Sequence, residues 1–239
     1  MPNDADDAVV ADRGLDESGD HRPVVVEPRW PVALALGSFI VITIVLRVAE
    51  PERESIGPHW LVPSIEIALL LALLAANPAE LSHRRRWLRP LSIGLLTSLM
   101  VVTLVATAVL ITQLIQGGKV TNSATSLLAS GALIWLGNCL VFGLFYWLLD
   151  SGGPYARVLG EREYPDFAFT HQLSPELAPP GWRPQYVDYF ILGLTTSTAF
   201  SPTDVMPMAR WAKLTMAMQS LISLTVVGLV IARAVNVFS

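Results

Sequence analysis

Residues 126–149 read Ser126-Leu-Leu-Ala-Ser-Gly-Ala-Leu-Ile-Trp-Leu-Gly-Asn-Cys-Leu-Val-Phe-Gly-Leu-Phe-Tyr-Trp-Leu-Leu149, without one Asp, Glu, Lys or Arg. As an α-helix, a run of this length rises about 36 Å at about 1.5 Å per residue. That exceeds the ~30 Å hydrocarbon core of a bilayer. A buried strand in a soluble protein is far shorter. In lipid every backbone donor and acceptor must be bonded within the segment, so the run is a helix.

Working outward, four more apolar segments have comparable character. They lie at about 30–48, 60–76, 91–115 and 212–238, and the third of these is also uncharged. Trp30, Trp60, Trp87, Trp147 and Trp211 fall at or near segment ends, where amphipathic rings anchor at a headgroup layer. The whole chain of 239 residues is 52% hydrophobic and only 15% charged, against about 25% charged in soluble domains. Eight of its 20 acids lie in the first 27 residues. The charge deficit excludes a soluble enzyme, a coiled coil and a secreted disulfide scaffold. A net charge of −4 offers no basic field for nucleic acid. The fold class expected is all-α: a polytopic membrane bundle of five helices plus a re-entrant half-helix, with six full helices as the alternative.

The remaining charge sets the domain organisation. Residues 1–29 form an acidic tail with too little apolar surface to offset the entropy of ordering. Residues 30–149 hold the first four membrane helices, 150–187 a loop, and 188–239 the half-helix and last helix. Lys and Arg count three in the tail, two in the first linker, four at Arg84, Arg85, Arg86 and Arg89, one at Lys119, and three in the 150–187 loop. Alternate sides therefore carry ten against three. The positive-inside rule places the N-terminus, the Arg cluster and the 150–187 loop in the cytoplasm of a cell whose plasma membrane the chain crosses repeatedly.

The 150–187 loop opens with Asp150-Ser-Gly-Gly-Pro154, which ends a helix and turns the chain. Its aromatic residues, including Tyr164, Phe167, Phe169, Trp182 and Tyr186, are expected to pack on headgroups or helix ends. His171 reads as a surface residue. Cys139 is the sole cysteine, so no disulfide within the chain and no thiolate metal site is possible.

Residues 188–213 carry the chemistry. Only Tyr189–Phe200 is uncharged and helix-compatible, and a helix of that length rises roughly 18 Å, a little over half the hydrocarbon core. Pro202 stops it and Asp204 follows. Irregular backbone at such depth is tolerated only inside protein or beside water. The simplest reading is a re-entrant loop feeding the last helix. The hydroxyls of Thr195, Thr196, Ser197, Thr198, Ser201 and Thr203, the ring of Phe200 and the carboxylate of Asp204 are then the candidate pore groups.

This segment, about 50 residues with its inner helix, resembles the pore domain of potassium channels. Asp188 and Tyr189 match the opening of the pore helix, and Thr196 and Thr198 its polar end. Asp204 matches the acid after the filter and Pro207 the proline beyond. Arg210 and Lys213 stand where the inner helix begins. The rest of the chain resembles multi-pass bacterial membrane proteins whose activity is not assigned. The resemblance implies a homo-oligomer, a tetramer by analogy. The five filter positions, however, read Ala199, Phe200, Ser201, Pro202 and Thr203. Both glycines that let a filter backbone stack its carbonyls are missing, and Pro202 restricts itself and Ser201. Potassium selectivity of the carbonyl-ring kind is not expected.

Other intramembrane polar groups are few. Glu66, about two turns into the second segment, is expected to pair with Arg47 or to bind a proton. Asn138, near Gly131, Gly137 and Gly143, marks a helix-packing face. Met206, Met208, Met216 and Met218 suggest a row. Ser220 and Ser223 share a face with Gln219 one position away, to line a cavity in a pore or to bond a neighbouring helix in a plain bundle. No metal cluster, phosphate loop or nucleophile–base spacing is present. The expectation is a channel-like protein and not an enzyme, without cofactor or metal and with the lipid bilayer as its medium. The alternatives are a non-conducting structural or scaffold protein and a proton-coupled transporter using Glu66.

Overall fold

The computed structural model describes residues 30–49, 88–116, 124–198 and 204–238. The N-terminal tail, the segment at 60–76 with Trp60, Glu66, Arg84–Arg86 and Trp87, and Lys119 lie outside the described residues. The chain runs through α1 (Trp30–Ala49), α2 (Leu88–Gln116), α3 (Ala124–Leu149), a 3-10 turn (Asp150–Gly152) and α4 (Pro154–Leu159). It continues through β1 (Phe167–Phe169), α5 (Thr170–Leu173), α6 (Tyr186–Ser197), β2 (Val205–Pro207) and α7 (Arg210–Phe238). Among the described residues three stretches are long and apolar enough to cross a membrane: Leu96–Ile115 in α2, Thr125–Leu159 starting in α3, and Arg210–Asn236 in α7. The apolar part of α1, Trp30–Leu46, is shorter.

α3 is the hub of the bundle. Of its candidate span 67% is buried, against 28% for α7. The glycines expected to mark a packing face each seat a different helix. A Cβ added at Gly137 would lie 3.6 Å from Phe39 of α1, and one at Gly131 would lie 2.7 Å from Val230 of α7. One at Gly143 would come 3.0 Å from the Phe190 backbone of α6. Small residues permit this close approach, which in lipid supplies the dispersion contact that a hydrophobic force cannot. Asn138 donates to Thr107 Oγ1 at 3.1 Å and thereby ties α3 to α2.

The order of contacts fixes how α6 lies. Gly143 meets Phe190, Gly193 meets Cys139, and Trp135 Nε1 approaches the Ser197 carbonyl. α6 is therefore antiparallel to α3. Gln219 bonds Gly193 and Ser223 bonds Ser197, so α6 is parallel to α7. Both α6 and α7 start at the end of the bundle where α3 finishes.

That end carries a small polar cap. β1 and β2 pair antiparallel, Phe167 with Pro207 and Phe169 with Val205, so residues before α6 and after it are hydrogen-bonded together. Ser151 at φ 52° is followed by Gly152 at 87° and Gly153 at 98°. Left-handed conformations of this kind are routine only for glycine, and they turn α3 sharply into the cap. Arg157 then donates to the carbonyls of Trp147 at 2.6 Å and Asp150 at 3.0 Å. Its charge thus faces the negative end of the α3 dipole. Phe167 is buried at the centre, edge-on to Tyr146 and Trp211 at 5.2 and 5.5 Å.

Two expectations change here. Trp147 is not an interfacial anchor; it is buried against Tyr186 because the cap covers the end of α3. The methionines do not form a row: Met216 is buried, while Met206, Met208 and Met218 are exposed. Trp30 is exposed at the start of α1, and Trp211 is half-buried with its N–H donated to Asp166 at 3.1 Å. His171 is exposed and stacks on Trp182 at 4.6 Å.

Candidate functional site

The candidate site is the inner end of α6 with its supports. α6 starts cleanly because the Asp188 carboxylate accepts the Gln185 backbone N–H at 2.7 Å, closing the first turn where a negative charge also suits the helix dipole. Burial of that carboxyl pushes its pKa above the ordinary value, partly offset by the Gln185 bond and by His171. Gly193 lets the middle of α6 press on α3, since an added Cβ would lie 2.9 Å from the Cys139 carbonyl.

The outer half of α6 is held by Asp150. This fully buried carboxylate accepts from the Ser151 hydroxyl and from the backbone N–H groups of Asp166 and Phe167, at 3.0 to 3.1 Å. It also accepts from the Tyr189 hydroxyl. Four donors on one carboxylate meet the cost of burying it. Asp166 extends the node by accepting from Ser151 N, Arg162 and Trp211. One centre thus joins the end of α3, the cap, α6 and the start of α7. Arg157 lies 5.0 Å over the Tyr189 ring, within cation–π range.

The inner end of α6 is closed by α7. The last carbonyls of any helix have no partner within it, and here they lie buried between α3 and α7, where a partner must come from the protein. Gln219 is buried and donates through Nε2 to the Gly193 carbonyl and to Ser197 Oγ, both at 2.8 Å. Its Oε1 accepts from Tyr146 at 2.6 Å. Ser220 donates to the Thr196 carbonyl at 3.1 Å, and Ser223 to that of Ser197. Trp135 donates to Ser223 Oγ at 2.6 Å. The Thr198 N–H closes back on the Leu194 carbonyl at 3.1 Å. The polar face of α7 therefore bonds a neighbouring helix, the outcome foreseen for a plain bundle.

The candidate pore groups divide accordingly. Thr195 donates to the Ile191 carbonyl and Thr198 to that of Thr195, so both hydroxyl protons are used inside α6. Ser197 is buried in the α7 network. Thr196 is 3% exposed and its hydroxyl has no hydrogen-bond partner among the described residues. Thr198 is exposed. Asp204 is exposed in the cap, where its carbonyl accepts the Thr170 N–H at 3.0 Å. Phe200, Ser201 and Thr203 lie outside the described residues. Arg47 is in the last turn of α1, and its expected partner Glu66 lies outside the described residues.

Beside the end of α6, between α3 and α7, is an apolar groove of about 460 Å³. Gly131, Trp135 and Leu128 line one wall, and Leu224, Val227 and Ile231 the other. Ser197, Thr198 and Ser223 close its polar end. Among the described residues no three His, Cys, Asp or Glu side chains converge as metal ligands would.

Asp150, Asp166, Trp135 and the Tyr189 hydroxyl were not legible as parts of a site. Gln219 carried a usable signal: an amide within an apolar helix ordinarily has a partner in the bundle. The chain matches no family model, and neither the curated proteins nor the solved structures include a match to it.

Proposed function

We propose that the chain is a channel-like protein of the plasma membrane, with ion permeation as its activity and no catalysis of its own. α6 is the pore-helix equivalent, the stretch from Thr198 to Asp204 is the loop that lines the path, and α7 is the inner helix. The observation that carries the reading is the half-length helix α6. It starts beside the beginning of α7, ends in a Ser/Thr-rich turn partway along α3 and α7, and is followed within a few residues by a strand back at the starting end. That arrangement suits a re-entrant loop better than a sixth crossing. With the charge count, that arrangement supports entry of α6 from the cytoplasm. One loop cannot enclose a path, so the working unit is a homo-oligomer, a tetramer by analogy. The filter positions 199–203 lack glycine, so the path does not select potassium through stacked carbonyls.

The test is ion flux from purified protein in liposomes. The reading expects flux that changes in rate or ion preference in Thr198→Val and Phe200→Ala. Absence of flux for small cations and anions over a wide voltage range would refute it.

A second reading is a non-conducting module on the same fold. It is favoured by a specific observation: donors from the same chain already occupy the carbonyls at the inner end of α6. Those bonds dampen the negative pole that a pore helix would turn toward a cation. A protein that stays monomeric in detergent and passes no ion supports this reading.

A further inference from the structure

Among the described residues Ser151 is the only non-glycine with a positive φ, at 52°. A left-handed serine is strained, and such strain persists only where the surroundings impose it. Here two buried carboxylates impose it. Asp166 accepts the Ser151 N–H at 2.9 Å, and Asp150 accepts its hydroxyl at 3.0 Å.

The donors to Asp150 come from three places: Ser151 beside it, the Asp166 and Phe167 N–H groups where β1 begins, and the Tyr189 hydroxyl of α6. A buried carboxylate that keeps only some of its donors is worse off than one with all of them or one in water. The node therefore favours two conditions. It is closed with every donor in place, or open with β1 withdrawn. The carboxylate gains by closing and Ser151 gains by opening. The cap also holds the Tyr189 ring, through Phe169 at 5.2 Å and Phe167 at 6.4 Å, both edge-on.

α6 carries the state of this node inward. It is one helix from Tyr186 to Ser197, so Tyr189 and Thr198 lie about 14 Å apart along a stiff rod. Between them Gly193 rests on the Cys139 carbonyl, with no room for a side chain. A rod seated at mid-length moves both ends together. Its far end is bonded by Gln219, Ser220 and Ser223 of α7.

We propose that the Asp150–Tyr189 contact is a latch by which the cap sets the far end of α6, so that parting β1 from Asp150 loosens the Ser/Thr-rich turn from α7. The proposal rests on the channel-like reading for its purpose, because that turn would border the path, and it supplies the regulation of that site.

The test uses the full chain in mixed micelles, with amide hydrogen exchange read separately over residues 166–169 and 194–198. Tyr189→Phe removes the latch bond and keeps the ring. It is expected to raise exchange over 194–198 at least threefold. Coupling between two places is reciprocal, so Gln219→Leu is expected to raise exchange over 166–169 at least threefold. Thr107→Val, which breaks the Asn138 bond between α2 and α3, is the control for general loosening and leaves both readings within threefold of the parent. A rise below threefold at the far end in Tyr189→Phe or Gln219→Leu overturns the proposal, as does an equal rise in Thr107→Val. Ion flux is read on the same preparations. Coupled exchange without flux from the parent or any variant keeps the latch and refutes conduction; flux from a protein whose two ends exchange independently does the reverse.

Discussion

Gln219→Leu removes the side chain that joins α6, α7 and α3. Three hydrogen bonds go: to the Gly193 carbonyl, to Ser197 Oγ and from the Tyr146 hydroxyl. Hydrogen bonds between membrane helices average about 0.6 kcal/mol, with about 1.7 kcal/mol the highest seen. Three average bonds amount to about 2 kcal/mol. The buried acceptors and donor left behind push the loss upward, since an orphaned polar group costs about 1–3 kcal/mol. A loss of about 2 kcal/mol corresponds to roughly a 30-fold shift from docked to undocked α6. The assay is reversible unfolding in mixed micelles, combined with amide hydrogen exchange over residues 192–198. Tyr146→Phe alone is expected to cost about 0.6 kcal/mol and to cost nothing further once Gln219 is Leu. A Gln219→Leu protein within about 0.5 kcal/mol of the parent, or full additivity of the two changes, would refute the reasoning.

Further outcomes follow from the same contacts. Gly193→Ala puts a methyl group 2.9 Å from a backbone carbonyl of α3 and should destabilise by about 1–3 kcal/mol; Gly94→Ala, with open space around it, should be neutral or stabilising in the same melt. Asp150→Ala strands four donors and should lose about 3 kcal/mol, whereas Asp150→Asn, which keeps an acceptor, loses less; proteolysis within residues 160–185 reports the difference. Asp188 has a raised pKa in the fold, so its contribution is full below the ordinary carboxylate value and falls as pH rises through the raised one. Asp188→Asn, which still accepts from Gln185, should flatten that part of the stability–pH curve. Tyr164→Cys and Arg210→Cys, made in Cys139→Ser, should both react with an impermeant reagent from the cytoplasmic face only; labelling of both from outside would invert the topology, and labelling from opposite faces would mean that residues 186–207 cross fully.

Much of the bundle was legible because lipid leaves the backbone few options. An uncharged run as long as 126–149 has one stable form in a bilayer, and the same logic located α2 and α7. The glycines of α3 signalled close packing, yet not their partners. That Gly137 receives Phe39 while Gly143 receives the backbone of α6 depends on helix rotation and order, which a period of 3.6 alone leaves open. The cap was the least legible part. Phe167 and Phe169 read as loop aromatics, but β1 finds its partner in β2 across some forty residues, and no local pattern encodes that pairing. Trp147 went the same way, since its surroundings depend on what folds back over it.

The sequence by itself determined the class: apolar helices long enough to cross a membrane, with the charge gathered outside them, and a short helix at Tyr186–Ser197 that ends among Ser and Thr. Those conclusions rest on local physics, the cost of unbonded backbone and of charge in hydrocarbon. Only the tertiary structure decided which polar groups are spent and which remain. Gln219, Ser220 and Ser223 could line a cavity or bond a neighbouring helix until α6 is set beside them, where they close its carbonyl end. The physical reason is that hydrogen bonding belongs to a pair and has meaning only once both partners have a position.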